Sequence, residues 1–487
     1  MRVGARRVGL WAGGIMLAAL GFGLAADGTM AAPDTGAVSR VEGGASDGAG
    51  VRPEGSAMSP SQMRMLAMQA LDAGRPDVAG AIANALLQRD PEDSLALAIA
   101  AKANRAVGNL QGARESARQA WRVAETDEER YEAAMARAQA LASGNNRTAA
   151  MLWLRRAAQN APTKGHEAVA RDDFRYVRAR NPLGVSLHFS LAPVSNLNNG
   201  SRREQGTFQL PAFGVVEADL DGTAQALSGI ELSAGVTLRY RLGRTEKGHQ
   251  TDLVFGASTR QYQLSDDAKD KAPDAKGSDY AFSLVQVGLS HRGRWDAKRP
   301  FRLSAMVGQT RYGGEDYTRF YDFGGKQSFA FENGVLSFGA GLRRSEALSV
   351  RTTDSDRWRA DLSWTQPVWD NHRLTLALEA ERGVSDSSSL DYEGAAAAAR
   401  LALGQPVMGM GLEFGVSYGE RWYDQGPVAG LGRLDARTTL DATAVIDPLE
   451  QFGFVPTVSV TARRVESDFG QYDSDEFGVR IGLRSAF

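Results

Sequence analysis

The sequence predicts a short α-solenoid followed by a 14-stranded antiparallel transmembrane β-barrel. Three observations predict it. An alanine- and leucine-rich stretch with helical spacing gives way at Asn181-Pro182 to apolar residues at every second position, and that alternation keeps returning up to Phe487. Most of the resulting strands run ten residues or more, whereas soluble strands average about five to six. The connections between them alternate between long polar stretches and tight turns.

The N-terminus carries the first instruction. Arg2, Arg6 and Arg7 precede an apolar, glycine-rich core from Val8 to Ala25, and the small residues Gly23, Ala25 and Ala26 suit cleavage, so residues 1–26 read as a signal peptide. An uncleaved anchor is the alternative. Residues 27–58, rich in Gly, Ala, Ser, Asp and Pro without apolar periodicity, read as a flexible linker. The 487 residues include no cysteine, so disulfides, cysteine-based metal sites and an N-terminal lipid anchor are excluded. The five histidines (His166, His188, His249, His291 and His372) are dispersed without metal-ligand spacing, and no cofactor is expected. A net charge of −2 and the lack of a basic arm argue against a nucleic-acid partner. After the signal no apolar run is long enough for a membrane helix, so a membrane crossing would need a closed barrel, the other structure that satisfies its backbone in lipid.

Residues 59–180 form the helical domain. Gly74, Gly108 and Gly144 recur 34 and 36 residues apart, each followed five positions later by an alanine: Ala79, Ala113 and Ala149. Asp90-Pro91 and Ala161-Pro162 end two of the second helices. This pattern resembles the tetratricopeptide repeat, in which paired helices approach over small residues. An ordinary helical bundle is the alternative; both are interaction modules without catalytic groups.

Residues 183–487 form the barrel. The strands are expected at about 183–192, 229–241, 250–262, 279–291, 300–311, 317–327, 333–344, 356–366, 371–383, 389–403, 408–421, 434–447, 453–465 and 476–487. Stripes such as Ile230, Leu232, Val236 and Leu238 should face lipid. The opposite faces carry Arg239, Arg241, Glu379, Glu381, Arg421, Arg480 and Arg484, the candidates for a wet lumen. Tyr240, Trp295, Trp358, Trp364, Trp369, Trp422 and Tyr423 near strand ends suit interfacial girdles. An even strand count puts both barrel ends, and the helical domain, in the periplasm. A soluble sandwich would not explain the alternating loop lengths. The last strand, FGVRIGLRSAF, ends on Phe487, which resembles the C-terminal aromatic read by barrel-insertion machinery.

The chemistry is sparse. His188 and Ser190, with Asn196 nearby, resemble the active site of outer-membrane phospholipases and deacylases, where the pair faces lipid. Here Leu187 and Phe189 make the oily face, so the pair points into the lumen, and neither an enzyme nor catalytic residues are expected.

The combination of signal, helical repeats and barrel resembles the surface lipoprotein assembly modulator (Slam) family over about residues 60–487. The junction and first strand carry the resemblance, from Asn181-Pro182 through Leu191 to the segment holding Pro193, Ser195, Asn196 and Asn198. It implies an outer-membrane translocon that helps deliver lipoproteins, or soluble haem- and metal-acquisition proteins, to the cell surface. The implied partners are that exported substrate, a periplasmic chaperone, the barrel-insertion machinery and membrane lipid. The other readings are a polysaccharide exporter and a diffusion porin with a periplasmic helical domain. Fourteen strands spaced ~4.8 Å and tilted about 40° give a backbone diameter of roughly 28 Å and a bore of about half that, which passes an unfolded chain but not a folded domain.

Overall fold

The computed structural model describes residues 58–210 and 213–485. The expected signal peptide, nearly all of the linker and Phe487 lie outside the described residues.

Seven helices come first: α1 (Pro60–Asp72), α2 (Pro76–Arg89), α3 (Ser94–Ala106), α4 (Leu110–Val123), α5 (Asp127–Ser143), α6 (Arg147–Gln159) and α7 (Lys164–Arg180). Side-chain caps fix most starts. Ser59 with Gln62, and Thr126 with Glu129, form reciprocal capping boxes, and Asp93 accepts from the Ala96 N–H. Each helix packs on the next, and α3 also touches α1 and α5, so the hairpins stack in register. The seams are alanine: Ala79, Ala83, Ala113, Ala117 and Ala120 are fully or almost fully buried. At the last hairpin Trp121 and Trp153 meet edge to face at 4.9 Å, with the Arg137 and Arg156 guanidiniums over the Trp153 ring.

The repeat phase differs by one residue from the sequence expectation in its third unit. Gly74 and Gly108 take the left-handed conformation that reverses the chain (φ 71° and 83°), but the third turn places Asn145 there (φ 61°). Its buried alanine is accordingly Ala150, not Ala149. Asn tolerates this conformation better than other non-glycine residues. Gly144 serves a different purpose: the Arg114 guanidinium lies where a Cβ would be and donates to the Gly144 carbonyl at 3.3 Å.

The barrel strands are β1 (Leu183–Val194), β4 (Gly229–Arg244), β5 (Gln250–Leu264), β6 (Phe282–Arg294), β7 (Pro300–Tyr312), β8 (Glu315–Phe331), β9 (Gly334–Ala347), β10 (Ser355–Pro367), β11 (Arg373–Ser385), β12 (Tyr392–Ala402), β13 (Met410–Tyr423), β14 (Arg433–Ile446), β15 (Phe454–Ser467) and β16 (Ser474–Ser485). They close in sequence order, each pairing antiparallel with its neighbours, and β1 meets β16. All fourteen expected strands are present. A separate hairpin, β2 (Gln205–Leu210) and β3 (Gly214–Asp219), and a short helix, α8 (Asp266–Lys271), occupy the connections after β1 and β5.

The alternation of loop lengths is weaker than expected. At the end opposite α7, the β1–β4 and β5–β6 connections are long, but β7 and β8 turn through only Gly313-Gly314, both at positive φ. Large apolar side chains project outward along every second position, including Leu187, Leu378, Leu440 and Ile481, all more than half exposed. A closed barrel with such an outward apolar band is a transmembrane β-barrel of the outer-membrane type.

The two parts are joined by more than the chain. Arg155 of α6 donates to the carbonyls of Phe452 and Gly453 at 3.1 and 2.7 Å and to the Ser485 hydroxyl at 2.8 Å, while stacking on Phe454. Arg171 of α7 pairs with Glu450 at 2.8 Å, and the Phe452 N–H donates to the Gln159 side chain. The β14–β15 turn is thus gripped by α6 and α7. We expect Arg155→Ala to leave the barrel heat-modifiable on a gel but to speed proteolytic release of the helical domain at least several-fold; unchanged release would show that the grip contributes nothing.

Candidate functional site: the barrel lumen and its cap

The inner faces follow from the outer ones, because side chains alternate along a strand. Opposite the exposed stripes lie arginines and carboxylates, and a recurrent device pairs them. A small residue on an intervening strand lets charges on its two neighbours meet. Glu381 of β11 and Arg421 of β13 both sit opposite Gly394 of β12, and their side chains join over it at 2.6 Å. Arg400 of β12 reaches Asp441 of β14 over Gly415 of β13 at 3.3 Å. Arg480 of β16 reaches Glu231 of β4 across β1, at the level of the buried Ala192, at 3.3 Å. The Glu381–Arg421 pair is the most enclosed; Tyr392 also donates to Glu381 at 3.3 Å and lies under the Arg421 guanidinium.

The other sequence candidates have different surroundings. Arg241 donates to the carbonyls of Ala179 and Asn181 at 3.1 and 3.0 Å, so it braces the α7–β1 joint. Arg239 and Glu379 lie on the inner faces of β4 and β11, and Arg484 on that of β16. Several lumen arginines escaped the sequence list. Arg343 pairs with Asp322 at 2.7 Å over the buried Phe320 ring, and Arg433 is sandwiched between Tyr423 and Tyr472. Among the described residues, Arg357 and Arg359 of β10 and Arg437 of β14 make no ion pair. Arg359 stands in register with Glu381, but that carboxylate is turned to Arg421. Arg357 Nη1 and Arg437 Nε are buried without a hydrogen-bond partner.

The Pro193–Asn198 segment proves to be a joint. Ser195 extends the β1–β16 ladder: its N–H donates to the Phe477 carbonyl and its hydroxyl accepts the Phe477 N–H. Asn196 is buried and bridges Gly200 and the Asp475 carbonyl; Asn198 donates to the carbonyls of Thr223 and Gln225 and accepts from Leu227. Pro193 pairs with Ile230 on β4. Asn196 is therefore committed to the loop and does not orient His188, whose ring lies over Gly235 on the inner face. Among the described residues no catalytic triad is assembled at His188 and Ser190.

The loops built on this joint fold into a cap. Leu197 and Leu227 from the first long connection, with Ala268 and Ala272 from the α8 segment, bury against Ala192, Val194 and Leu264 at the far end of the wall. The β2–β3 hairpin lies against the last connection, where Gln471 bonds both the N–H and the carbonyl of Thr207. Arg202 and Arg203 clamp the buried carboxylate of Asp473 at 3.1 and 3.0 Å, and Asp473 also accepts the Ser467 N–H. Nearer the helical domain the inner face is open to water at Gly184, Ser186 and His188. The lumen is thus open to water along β1 at one end and covered along one wall at the other.

No protein-family model matches the chain, and no curated protein does. Solved outer-membrane barrels resemble it. A loop-deletion mutant of OmpT, an outer membrane protein of Vibrio cholerae, is 10% identical with a TM-score of 0.32, covering 62% of this chain and 99% of that one. Pseudomonas aeruginosa OccK3 is 13% identical with a TM-score of 0.32 over 63% and 96% of the two chains, and Acinetobacter baumannii OccAB1 is 8% identical with a TM-score of 0.33 over 63% and 97%. Identities and scores at this level carry no argument, and the function has to be read from the lumen.

Proposed function

We propose that the chain is an outer-membrane channel that favours small anionic solutes, with a periplasmic helical domain gripped to its rim. The supporting observation is the set of lumen arginines that form no ion pair among the described residues, Arg357, Arg359 and Arg437, beside others that are paired. In a low-dielectric wall, unpaired cations focus a positive potential into the bore, which raises the local concentration of anions. Reconstituted in liposomes, the chain should admit small dicarboxylates faster than uncharged sugars of similar size. Replacing Arg357, Arg359 and Arg437 together by Gln should remove that preference while leaving sugar flux within about twofold, since surface changes of charge alter the field and not the bore. An unchanged preference in the triple variant would overturn the assignment.

The translocon reading stays alongside it because of the helical domain. A channel for small solutes has no need of stacked hairpins held against its rim, whereas delivery of a lipoprotein or haem-acquisition protein needs a receptor for the substrate or its chaperone. Deleting residues 59–178 separates the two. Anion flux should persist, and loss of surface exposure of a co-expressed lipoprotein would support the second reading.

A further inference from the structure

The barrel rim that carries the helical domain is uneven in charge. Its turns are residues 245–249, 295–299, 332–333, 368–372, 403–409 and 447–453. The first two hold Lys247, Lys298 and Arg299 and are flanked by Arg244 and Arg294. The others contain no lysine or arginine but hold the carboxylates Glu332, Asp370, Asp447 and Glu450. Arg299 pairs with Asp296 at 2.6 Å. Among the described residues Arg244, Lys247, Arg294 and Lys298 make no ion pair, and neither does Glu246.

These two turns and the strands beside them form one site. The Arg294 guanidinium reaches back to Gly248, to 3.5 Å from where a Cβ would be. Beside it the rings of His249, His291 of β6 and Phe301 of β7 gather into a plate. His249 and His291 are 5.7 Å apart, Phe301 lies 5.7 and 5.9 Å from them, and Trp295 stacks on Phe301 at 4.8 Å. Gly293 makes room for it: a Cβ there would lie 2.7 Å from His249 Nδ1 and 2.8 Å from Phe301 Cζ. The plate faces out of the barrel. His291 stands in register with Leu303 and follows Leu289 on the same face, and both leucines are exposed there. The Thr251 hydroxyl and His291 Nδ1 are 2.9 Å apart. His291 Nε2 and both ring nitrogens of His249 have no hydrogen-bond partner among the described residues, and no third metal-ligating side chain joins the pair there.

Hydrocarbon offers these imidazoles nothing, whereas a headgroup at the same level offers phosphate oxygens. We propose that the plate binds the headgroup of an anionic phospholipid. The phosphate accepts N–H groups from His249 and His291, and the unpaired cations of the two turns supply the countercharge. The acyl chains run along the outward stripe of Leu253, Leu289 and Leu303. Trp295 lies at the headgroup level, where interfacial tryptophans gather. A ligand charged at one end and apolar at the other satisfies both halves of the site; free phosphate would leave the leucines unused. The choice of a phospholipid over lipid A rests on the proposed periplasmic placement of the helical domain, because the periplasmic leaflet is phospholipid. It does not rest on the channel's ion preference.

Native mass spectrometry of the full-length protein in detergent micelles, with lipids added singly, tests the site. One phosphatidylglycerol per chain should bind about tenfold more tightly than phosphatidylcholine with the same acyl chains. His249→Phe with His291→Phe keeps a plate of rings but removes the donors, and should bring the two lipids within about twofold of each other. Lys247→Gln with Lys298→Gln, both exposed, should weaken phosphatidylglycerol about tenfold while the barrel stays heat-modifiable. His372→Phe should change nothing, since the Trp369–His372 pair sits in a turn without a cation. Equal binding of the two lipids by the native protein would overturn the proposal, as would a preference that survives the double His→Phe change. Displacement of the lipid by inorganic phosphate would overturn it too and assign the site to a free anion. Lipid A bound in place of phosphatidylglycerol would overturn the choice of lipid and the periplasmic placement together, leaving the ion preference untouched.

Discussion

Arg421→Ala should be the most damaging single substitution in the barrel wall. It would strand Glu381, whose side chain is 9% exposed, on the inner face, and strip Tyr392 of the cation above its ring. Breaking a buried pair by removing one partner costs roughly 3–5 kcal/mol, because the remaining charge stays desolvated. The heat-modified gel shift should move to a markedly lower temperature. Adding Glu381→Gln should recover much of that loss, since an amide tolerates the site without a cation. A double variant no more stable than Arg421→Ala would mean that the pair contributes through packing of the Arg421 stem instead. Gly394→Val gives an independent check. The Glu381 and Arg421 Cγ atoms lie 3.1 and 3.3 Å from where a Cβ would be, so the branched Val side chain should press on both stems and weaken the pair.

The second large effect is at the cap. Asp473 lies in the last connection, outside the membrane-spanning strands. Burial alone would raise its carboxyl pKa, but the Ser467 N–H and the Arg203 and Arg202 guanidiniums outweigh burial and hold it below the usual carboxylate range. A depressed pKa in the folded state contributes stability that is complete above the unfolded value, about 4, and is lost as pH falls through the lower folded value. The first long connection should thus resist protease from neutrality to about pH 4 and open only in stronger acid. Asp473→Ala should open it already at neutral pH, with cleavage between residues 200 and 228 and a larger open-channel conductance. Protection that persists in the variant would show that the Asn196 and Asn198 bonds hold the cap unaided.

The barrel was legible in the sequence because its signal is periodic and repeated. Alternation over ten or more residues survives local irregularity, and Asn181-Pro182 marks the change of period sharply. The helical hairpins were legible through their glycines, but the third turn was placed one residue early. Gly144 is a better turn residue than Asn145 by composition, and only the Arg114 contact explains why the glycine sits elsewhere. The cap was illegible for another reason. Leu197, Leu227, Ala268 and Ala272 come together from two loops and have no common period. The Ser195–Asn198 segment was noticed as a family resemblance, yet its bonds to Phe477 and Asp475 join residues about 280 positions apart. The lumen pairs depend likewise on which glycine lies between which strands, and that requires the register. Arg357, Arg359 and Arg437 could have been found by extending the inner-face rule beyond the clearest apolar stripes.

The sign of the lumen's ion selectivity tests the proposed anion channel most directly. Single channels of the full-length protein in a planar bilayer, under a tenfold potassium chloride gradient, give a reversal potential whose sign reports which ion passes more easily. The unpaired arginines predict a reversal potential displaced toward the chloride equilibrium value, and a displacement close to zero when Arg357, Arg359 and Arg437 are Gln. A wild-type potential displaced toward the potassium value would contradict it.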